Sequence, residues 1–157
     1  MNLALNPVAV PASIQRRLLA MPAVAALQLR VADWNQDGLS LVAPLAPNVN
    51  DKGSAFGGSL VSVMTLAAWS LMSATLDATG HDADVYVQDS SVRYLAPLYE
   101  DLLARARLAP GQNWETIIAT FAQRSKARAQ LQVEIHDASG RLCCALEGRF
   151  VALAPKA

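Results

Sequence analysis

The chain has 157 residues and a mass of 16.7 kDa, room for one domain of ordinary size but not two. Hydrophobic residues make up 53% and charged ones 17%, which excludes a disordered, charge-rich tail. Lys and Arg number 13 and Asp and Glu number 13, so no net charge draws the chain to nucleic acid or to an anionic membrane.

The shortage of charge has a second consequence. A monomer of this mass exposes on the order of 7,600 Å², with few ionised side chains to cover it and no net charge to keep copies apart. A subunit interface relieves this most simply, so a homo-oligomer built on a two-fold dimer is expected. Cys143 and Cys144 are adjacent, a spacing that rarely closes a disulfide, and fit a reducing cytoplasm. Met1 to Val10 holds no basic residue ahead of its apolar stretch, so no secretory signal is expected there.

In chain order, Ser13 is placed to cap a short helix through Arg16, Arg17, Leu18 and Leu19 that stops near Pro22. Leu27, Leu29 and Val31 alternate with Gln28 and Arg30 and predict a strand. Asn35-Gln36-Asp37-Gly38 predicts a hairpin turn, with Gly38 at positive φ, and Leu39, Leu41 and Ala43 return as the second strand. From Gly57 to Leu76 no residue is charged, so a membrane span has to be weighed. Projected at 100° per residue, however, Ser59, Ser62, Ser70, Ser73 and Asp77 share one stripe of about 80°. A lipid-facing helix has no reason to align hydroxyls with an acid. A long helix buried on most sides, with one polar seam and a stop at Gly80, accounts for the pattern better.

The remainder reads as strands. One begins at Val85 and Val87, runs to about Leu95 and ends at Pro97; Leu103 to Leu108 forms another, followed by a turn at Ala109 to Asn113. Trp114 to Phe121 alternates with apolar residues on both faces and predicts a strand, and Ala129 to Ile135 predicts a one-sided strand. Asp137-Ala138-Ser139-Gly140 turns into a last strand through Leu142, Cys144, Leu146 and Phe150. Strands joined by short turns pair antiparallel, and the single long helix must cover one face of their sheet, an α+β arrangement.

The densest chemical signal is Pro47 to Ser59, just ahead of the long helix. Gly53, Gly57 and Gly58 permit close approach of a ligand, and the last two lie at a helix N-terminus, where free N–H groups favour an oxyanion or a polarised carbonyl. The alternative is a Gly-rich loop that only lets a buried helix begin. Asp89 interrupts the Val85, Val87 series on an otherwise apolar face, with Arg93 as its expected partner. It is either a general base or a structural ion pair. Arg124, Lys126 and Arg128 form a basic cluster suited to phosphate or to an ordinary solvated turn. His81 and His136, expected in an exposed loop or at a strand end, have no ligand neighbours at zinc spacing, so no metal is expected.

Asn50-x-x-Gly53-x-x-Phe56-Gly57-Gly58 resembles the Asn-x-x-Gly-x-x-His-Gly-Gly signature of hotdog acyl-CoA thioesterases. The longer run Pro47-Asn48-x-Asn50-x-x-Gly53-x-Ala55-Phe56-Gly57-Gly58-Ser59-Leu60, with Leu66-Ala67-x-Trp69, is similar to one branch of them. That branch is the thioesterase domain also found as the C-terminal half of YiiD-type acetyltransferases. Ser91-Val92-Arg93-Tyr94-Leu95-Ala96-Pro97, Asp101 and Gly148-x-Phe150-Val151 are similar to its later strands.

The resemblance implies a single hotdog domain over residues 1–157, its core about 13–153, with about six antiparallel strands wrapped on the helix. It implies a dimer or dimer of dimers and a pocket between one subunit's Asn50 to Gly58 segment and its partner's strands. The implied activity is hydrolysis of a small-molecule acyl thioester, carried on CoA or a carrier protein, with no cofactor beyond the CoA moiety of the substrate. Gly57 and Gly58 would hold the carbonyl oxygen and Asn50 would position water. Gly53, Phe56, Ser59, Thr65 and Arg93 would line the substrate site, with Arg124, Lys126 and Arg128 near the nucleotide phosphates. Two departures set the alternative, a domain that binds acyl thioesters without cleaving them: Phe56 replaces the usual histidine, and Thr65 stands where the wider group places its acid. A structural dimerisation module is the third reading.

Overall fold

Residues 9–156 are described by a computed structural model in which a long helix lies against one face of a six-stranded antiparallel sheet. The elements run α1 (Ala9–Ala20), α2 (Pro22–Ala25), β1 (Arg30–Asn35), β2 (Gly38–Ala43), a 3₁₀ turn (Ala46–Asn48) and α3 (Gly57–Ala78). Then follow β3 (Asp84–Tyr94), β4 (Leu102–Leu108), α4 (Trp114–Arg124), β5 (Lys126–His136) and β6 (Leu142–Leu153). The sheet order is β1-β2-β4-β5-β6-β3, so β1 and β3 are its edges.

The core follows from the strand alternation. On β5, Ala127, Ala129, Leu131, Val133 and Ile135 are buried while the residues between them face out. They meet Leu60, Val63, Met64, Ala67, Ala68, Leu71 and Met72 of α3, all 5% exposed or less. Alanines at Ala43, Ala104, Ala106, Ala129 and Ala152 keep the sheet surface low, which lets the helix backbone approach. Among the described residues α3 alone is long and apolar enough to cross a membrane, and 72% of its most apolar window is buried inside the protein. It is the core helix.

Four expectations are corrected. Helix α1 already includes Ala9, so Ser13 lies inside it rather than capping it. Leu27 and Gln28 lie in a turn, with Gln28 at φ 57°, and the first strand starts at Arg30. Trp114 to Phe121 is a helix, because Asn113 Oδ1 accepts from the Thr116 N–H and caps it, and because Ile117 and Phe121, four apart, both point inward. The fourth is the exposure of His81, which lies in a loop but is only half-exposed and packs edge-on to Phe121 at 5.6 Å between ring centroids.

The serine seam of α3 is mostly buried. Ser59, Ser70 and Ser73 are buried, and the hydroxyls of Ser70 and Ser73 have no partner among the described residues. Helix α1 packs on α3 and plants Ile14 and Leu18 in the core. Arg17 reaches Asp77 at 3.1 Å and stacks over Trp69 at 4.9 Å. Burial pushes the Asp77 carboxyl above its ordinary range, against the pull of Arg17. The half-exposed face of α3 overlaps the seam at Ser62 and carries Gly58, Val61, Ser62, Thr65, Leu66 and Trp69, spaced three and four apart.

The two sheet edges differ. Gln15 donates from Nε2 to the Leu29 carbonyl at 2.8 Å and accepts from the Val31 N–H at 2.7 Å, so its amide occupies the β1 edge as a neighbouring strand would. The opposite edge, β3, is 11 residues long with only Val85 buried, and it exposes Tyr86, Val87 and Tyr94.

Replacing Asn113 by Ala removes the α4 cap and is expected to cost about 1 kcal/mol in urea unfolding, with an unchanged dependence on denaturant.

Candidate active site

The segment between the 3₁₀ turn and α3 is held at both ends by backbone bonds. The Phe56 N–H donates to the Asn48 carbonyl and the Ala55 N–H to the Leu98 carbonyl, each at 2.7 Å. Asn48 is itself buried, donating from Nδ2 to the carbonyls of Leu27 at 3.0 Å and Pro44 at 2.8 Å. Within the loop, Asn50 Oδ1 accepts from the N–H groups of Lys52 at 2.8 Å and Ser54 at 3.1 Å, and its Nδ2 donates to Ser54 Oγ at 2.9 Å. A further bond joins the Asn50 N–H to the Ser54 carbonyl at 2.8 Å. Gly53, at φ +85°, makes the reversal that this pattern requires. Asn50 is thus the clasp of the loop.

The clasp delivers the chain to the start of α3. Phe56 stands at the N-cap in an extended conformation and its side chain makes no capping bond. The first helical bond of α3 runs from the Leu60 N–H to the Phe56 carbonyl at 2.9 Å. The N–H groups of Gly57, Gly58 and Ser59 therefore have no acceptor among the described residues, and they lie at the positive end of a 22-residue helix dipole. The Phe56 ring folds over Gly58, where a Cβ would stand 2.5 Å from its nearest ring atom. Tyr94, at the end of β3, brings its hydroxyl to 3.4 Å from the Gly57 carbonyl. Such an opening accepts an anion or a carbonyl oxygen.

Acids are engaged elsewhere. Asp51 pairs with Lys52 at 2.8 Å on the surface, Asp101 accepts from the Leu45 N–H at 2.9 Å, and Glu100 from the Ala138 N–H at 2.8 Å. Asp89 is corrected in two respects. A bulge between Val87 and Asp89 turns it off the Val85, Val87 face, and its partner is Arg149, not Arg93. The hydrogen bonds from the Arg149 guanidinium hold its carboxyl below the usual carboxylate range. Arg93 is exposed on the outer sheet face, in a depression it shares with Arg107, Glu134 and Glu147.

Ser59 is buried in the first turn of α3, and Thr65 lies about 12 Å along the helix from Gly57 at 1.5 Å per residue. Thr65 lines an apolar groove of about 280 Å³ formed with Ala23, Val24, Leu27, Val61, Ser62 and Leu66. The basic cluster is at the other end. Lys126 pairs with Leu153 of β6, whereas Tyr94, beside Gly57, pairs with Cys144. Those β6 positions are about 30 Å apart at 3.3 Å per residue, so one chain does not bring Arg124, Lys126 and Arg128 to Gly57. Arg128 donates to Gln88 Oε1 at 2.9 Å. The sequence reading missed Ser54, a local partner four residues after Asn50, and Tyr94 and Leu98, which no local spacing joins to the loop.

A sequence profile described as "Putative thioesterase (yiiD_Cterm)" matches residues 12–154. No curated protein sequence matches the chain. The "putative thioesterase" from Shewanella oneidensis is similar in structure, with a TM-score of 0.82 and 27% identity, over 92% of this chain and 97% of that one. A protein of unknown function from Chlorobaculum tepidum superposes with a TM-score of 0.89 at 24% identity, over 98% of this chain and 100% of that one. A thioesterase from Haemophilus influenzae does so with a TM-score of 0.66 at 17% identity, over 88% and 87%. These last two share the hotdog fold.

Replacing Asn50 by Ala opens the clasp. Hydrogen exchange is expected to accelerate at the Ser54 and Phe56 amides well beyond any change in the β5 amides, which separates loop loosening from global destabilisation.

Proposed function

Since the chain belongs to the thioesterase family of the YiiD C-terminal domain, we propose that it hydrolyses a small-molecule acyl thioester at the open N-terminus of α3. Water adds to the thioester carbonyl, the C–S bond breaks, and the products are a carboxylic acid and a free thiol. The single observation that carries this reading is the row of unpartnered N–H groups at Gly57, Gly58 and Ser59, held in place by the Asn50 clasp. Those donors stabilise the charge that develops on the carbonyl oxygen as the bond to water forms. Asn50 acts as a positioning residue, because its amide is engaged inside the loop.

The reading includes a dimer across β3. A two-fold axis through an edge strand pairs it antiparallel with its own copy. Each chain's Tyr94 end then lies beside the partner's Asp84 end, and the basic end of the partner's β5 comes three strand spacings, about 14 Å, from the strand that flanks the helix opening. This supplies the basic groups that a single chain keeps remote, where the phosphates of a CoA carrier would need them.

A second reading rests on one observation. No carboxylate or imidazole of the described residues forms a hydrogen bond at the opening, and Thr65 is no base near neutral pH. That favours a domain that holds the acyl thioester without cleaving it.

Thermal unfolding against acyl-CoAs, with thiol release followed in the same samples, separates the readings. A rise in midpoint with thiol release supports hydrolysis; a rise alone supports the binding domain; neither with any acyl-CoA overturns both for CoA substrates. Gly57→Pro tests the donors directly. Phe56 has ψ 132°, which suits a following proline, and proline is tolerated at the first helical position while lacking the N–H. It is expected to lower kcat about 10²-fold or more, far below Gly57→Ala, which keeps the donor. For the dimer, sedimentation is expected to give twice 16.7 kDa, and Val87→Lys on the β3 edge to shift it toward the monomer.

A further inference from the structure

The carbonyl of Gly57 and the N–H of Gly58 belong to one peptide group, and resonance couples the two ends of such a group. A donor on the carbonyl draws charge toward the oxygen and makes the N–H a stronger donor in turn, which is how linked hydrogen bonds reinforce one another. The Gly58 N–H is one of the open donors at the start of α3, and the carbonyl of its peptide has a side-chain partner. That partner is the Tyr94 hydroxyl, at 3.4 Å. A carbonyl oxygen has two lone pairs, so this bond adds to the helical one rather than replacing it. Among the described residues no other side chain bonds to the backbone of Gly57 or Gly58.

Tyr94 is held in this place from two directions. It ends β3, paired with Cys144, and the next two N–H groups, of Leu95 and Ala96, both donate to the Cys143 carbonyl at 2.8 and 3.1 Å. A little further on, the Leu98 carbonyl takes the Ala55 N–H at 2.7 Å, which ties the segment after Tyr94 to the residue two before Gly57. The ring lies against the Gly57 backbone, where a Cβ would stand 3.6 Å from Tyr94 Cε1 in ordinary contact. The hydroxyl bonds to no other described residue. A length of 3.4 Å is long for such a bond, and bonds in catalytic sites are often long in the free enzyme and tighten in the complex.

We propose that Tyr94 is a positioning residue for the hydrolysis, its hydroxyl polarising the Gly57–Gly58 peptide so that the Gly58 N–H holds the developing oxyanion more strongly. The inference rests on the acyl-thioester reading of the helix opening. Tyr94 moves no proton in this role; it acts through the peptide, at an opening where no carboxylate or imidazole of the described residues is bonded. Linked hydrogen bonds strengthen one another by roughly 10–30%. Applied to the free energy of a donor worth about 10²–10³ in kcat, that is about two- to eightfold in rate.

The test uses the full chain as wild type, Tyr94→Phe, and a variant with 3-fluorotyrosine at position 94, a stronger O–H donor. Each is assayed in mildly acid buffer with the acyl-CoA that the wild type hydrolyses fastest in a panel from acetyl to palmitoyl. Tyr94→Phe keeps the ring on Gly57 and is expected to lower kcat about two- to eightfold with KM nearly unchanged; 3-fluorotyrosine is expected to raise kcat above wild type. The amide proton of Gly58 is expected to move upfield in the NMR spectrum of Tyr94→Phe, and those of Gly57 and Ser59, which belong to other peptide groups, much less. A merely structural role would not reproduce that pattern. An unchanged kcat, a loss carried by KM, a fluorinated variant no faster than wild type, or an unmoved Gly58 amide overturns the proposal and leaves the thioester reading intact. Absence of hydrolysis of every acyl-CoA by the wild type overturns that reading for CoA substrates, and this inference with it.

Discussion

A 22-residue helix with no charged side chain before Asp77 has to be kept from water, and one face of one sheet cannot surround it. The rest of the structure follows from that constraint. The sheet curls over most of α3, with alanines where the approach is tightest, and α1 covers the C-terminal part through Ile14, Leu18 and the Arg17 contacts to Asp77 and Trp69. What is left is a strip of small and apolar residues on α3 beside the bare edge of β3. The site, the groove and the free edge are all parts of this single uncovered border.

The catalytic question has the same origin. A helix entering a core needs its first N–H groups satisfied, and most helices do this with a Ser, Thr, Asp or Asn side chain. Here the cap position holds Phe56, and Asn50, which has the right chemistry to cap, is turned into the preceding loop. The unsatisfied donors are thus an outcome of how the loop is tied. Among the described residues no acid bonds at the opening, and the bulge at Asp89 sends the one carboxylate of β3's central stretch to the outer face and into the grip of Arg149.

Much of this was legible in the chain itself. The uncharged stretch from Gly57 marked the core helix, the Asn50 to Gly58 motif marked the opening, and the turns at Gly38 and Gly140 placed the strands around it. The failures have physical causes. Trp114 to Phe121 reads as a strand because six of its eight residues are β-branched or aromatic, and only the cap at Asn113 and the pair Ile117 and Phe121 reveal a helix. Asp89 reads as an inward acid because a one-residue bulge, invisible in an alternation pattern, reverses every side chain beyond it. The roles of Tyr94 and Leu98 depend on contacts more than 35 residues apart in sequence, and no local spacing carries such information.

The amide of Gln15 on the β1 edge has a consequence for how large an assembly can become. A sheet with two bare edges can add copies at both and grow without limit, as fibres do. In this protein one edge already holds a side chain that mimics the next strand, bonded to Leu29 and Val31. Were two β3 strands to meet, as in the proposed dimer, further growth of the sheet would have to use a β1 edge whose first bonding positions one glutamine already fills.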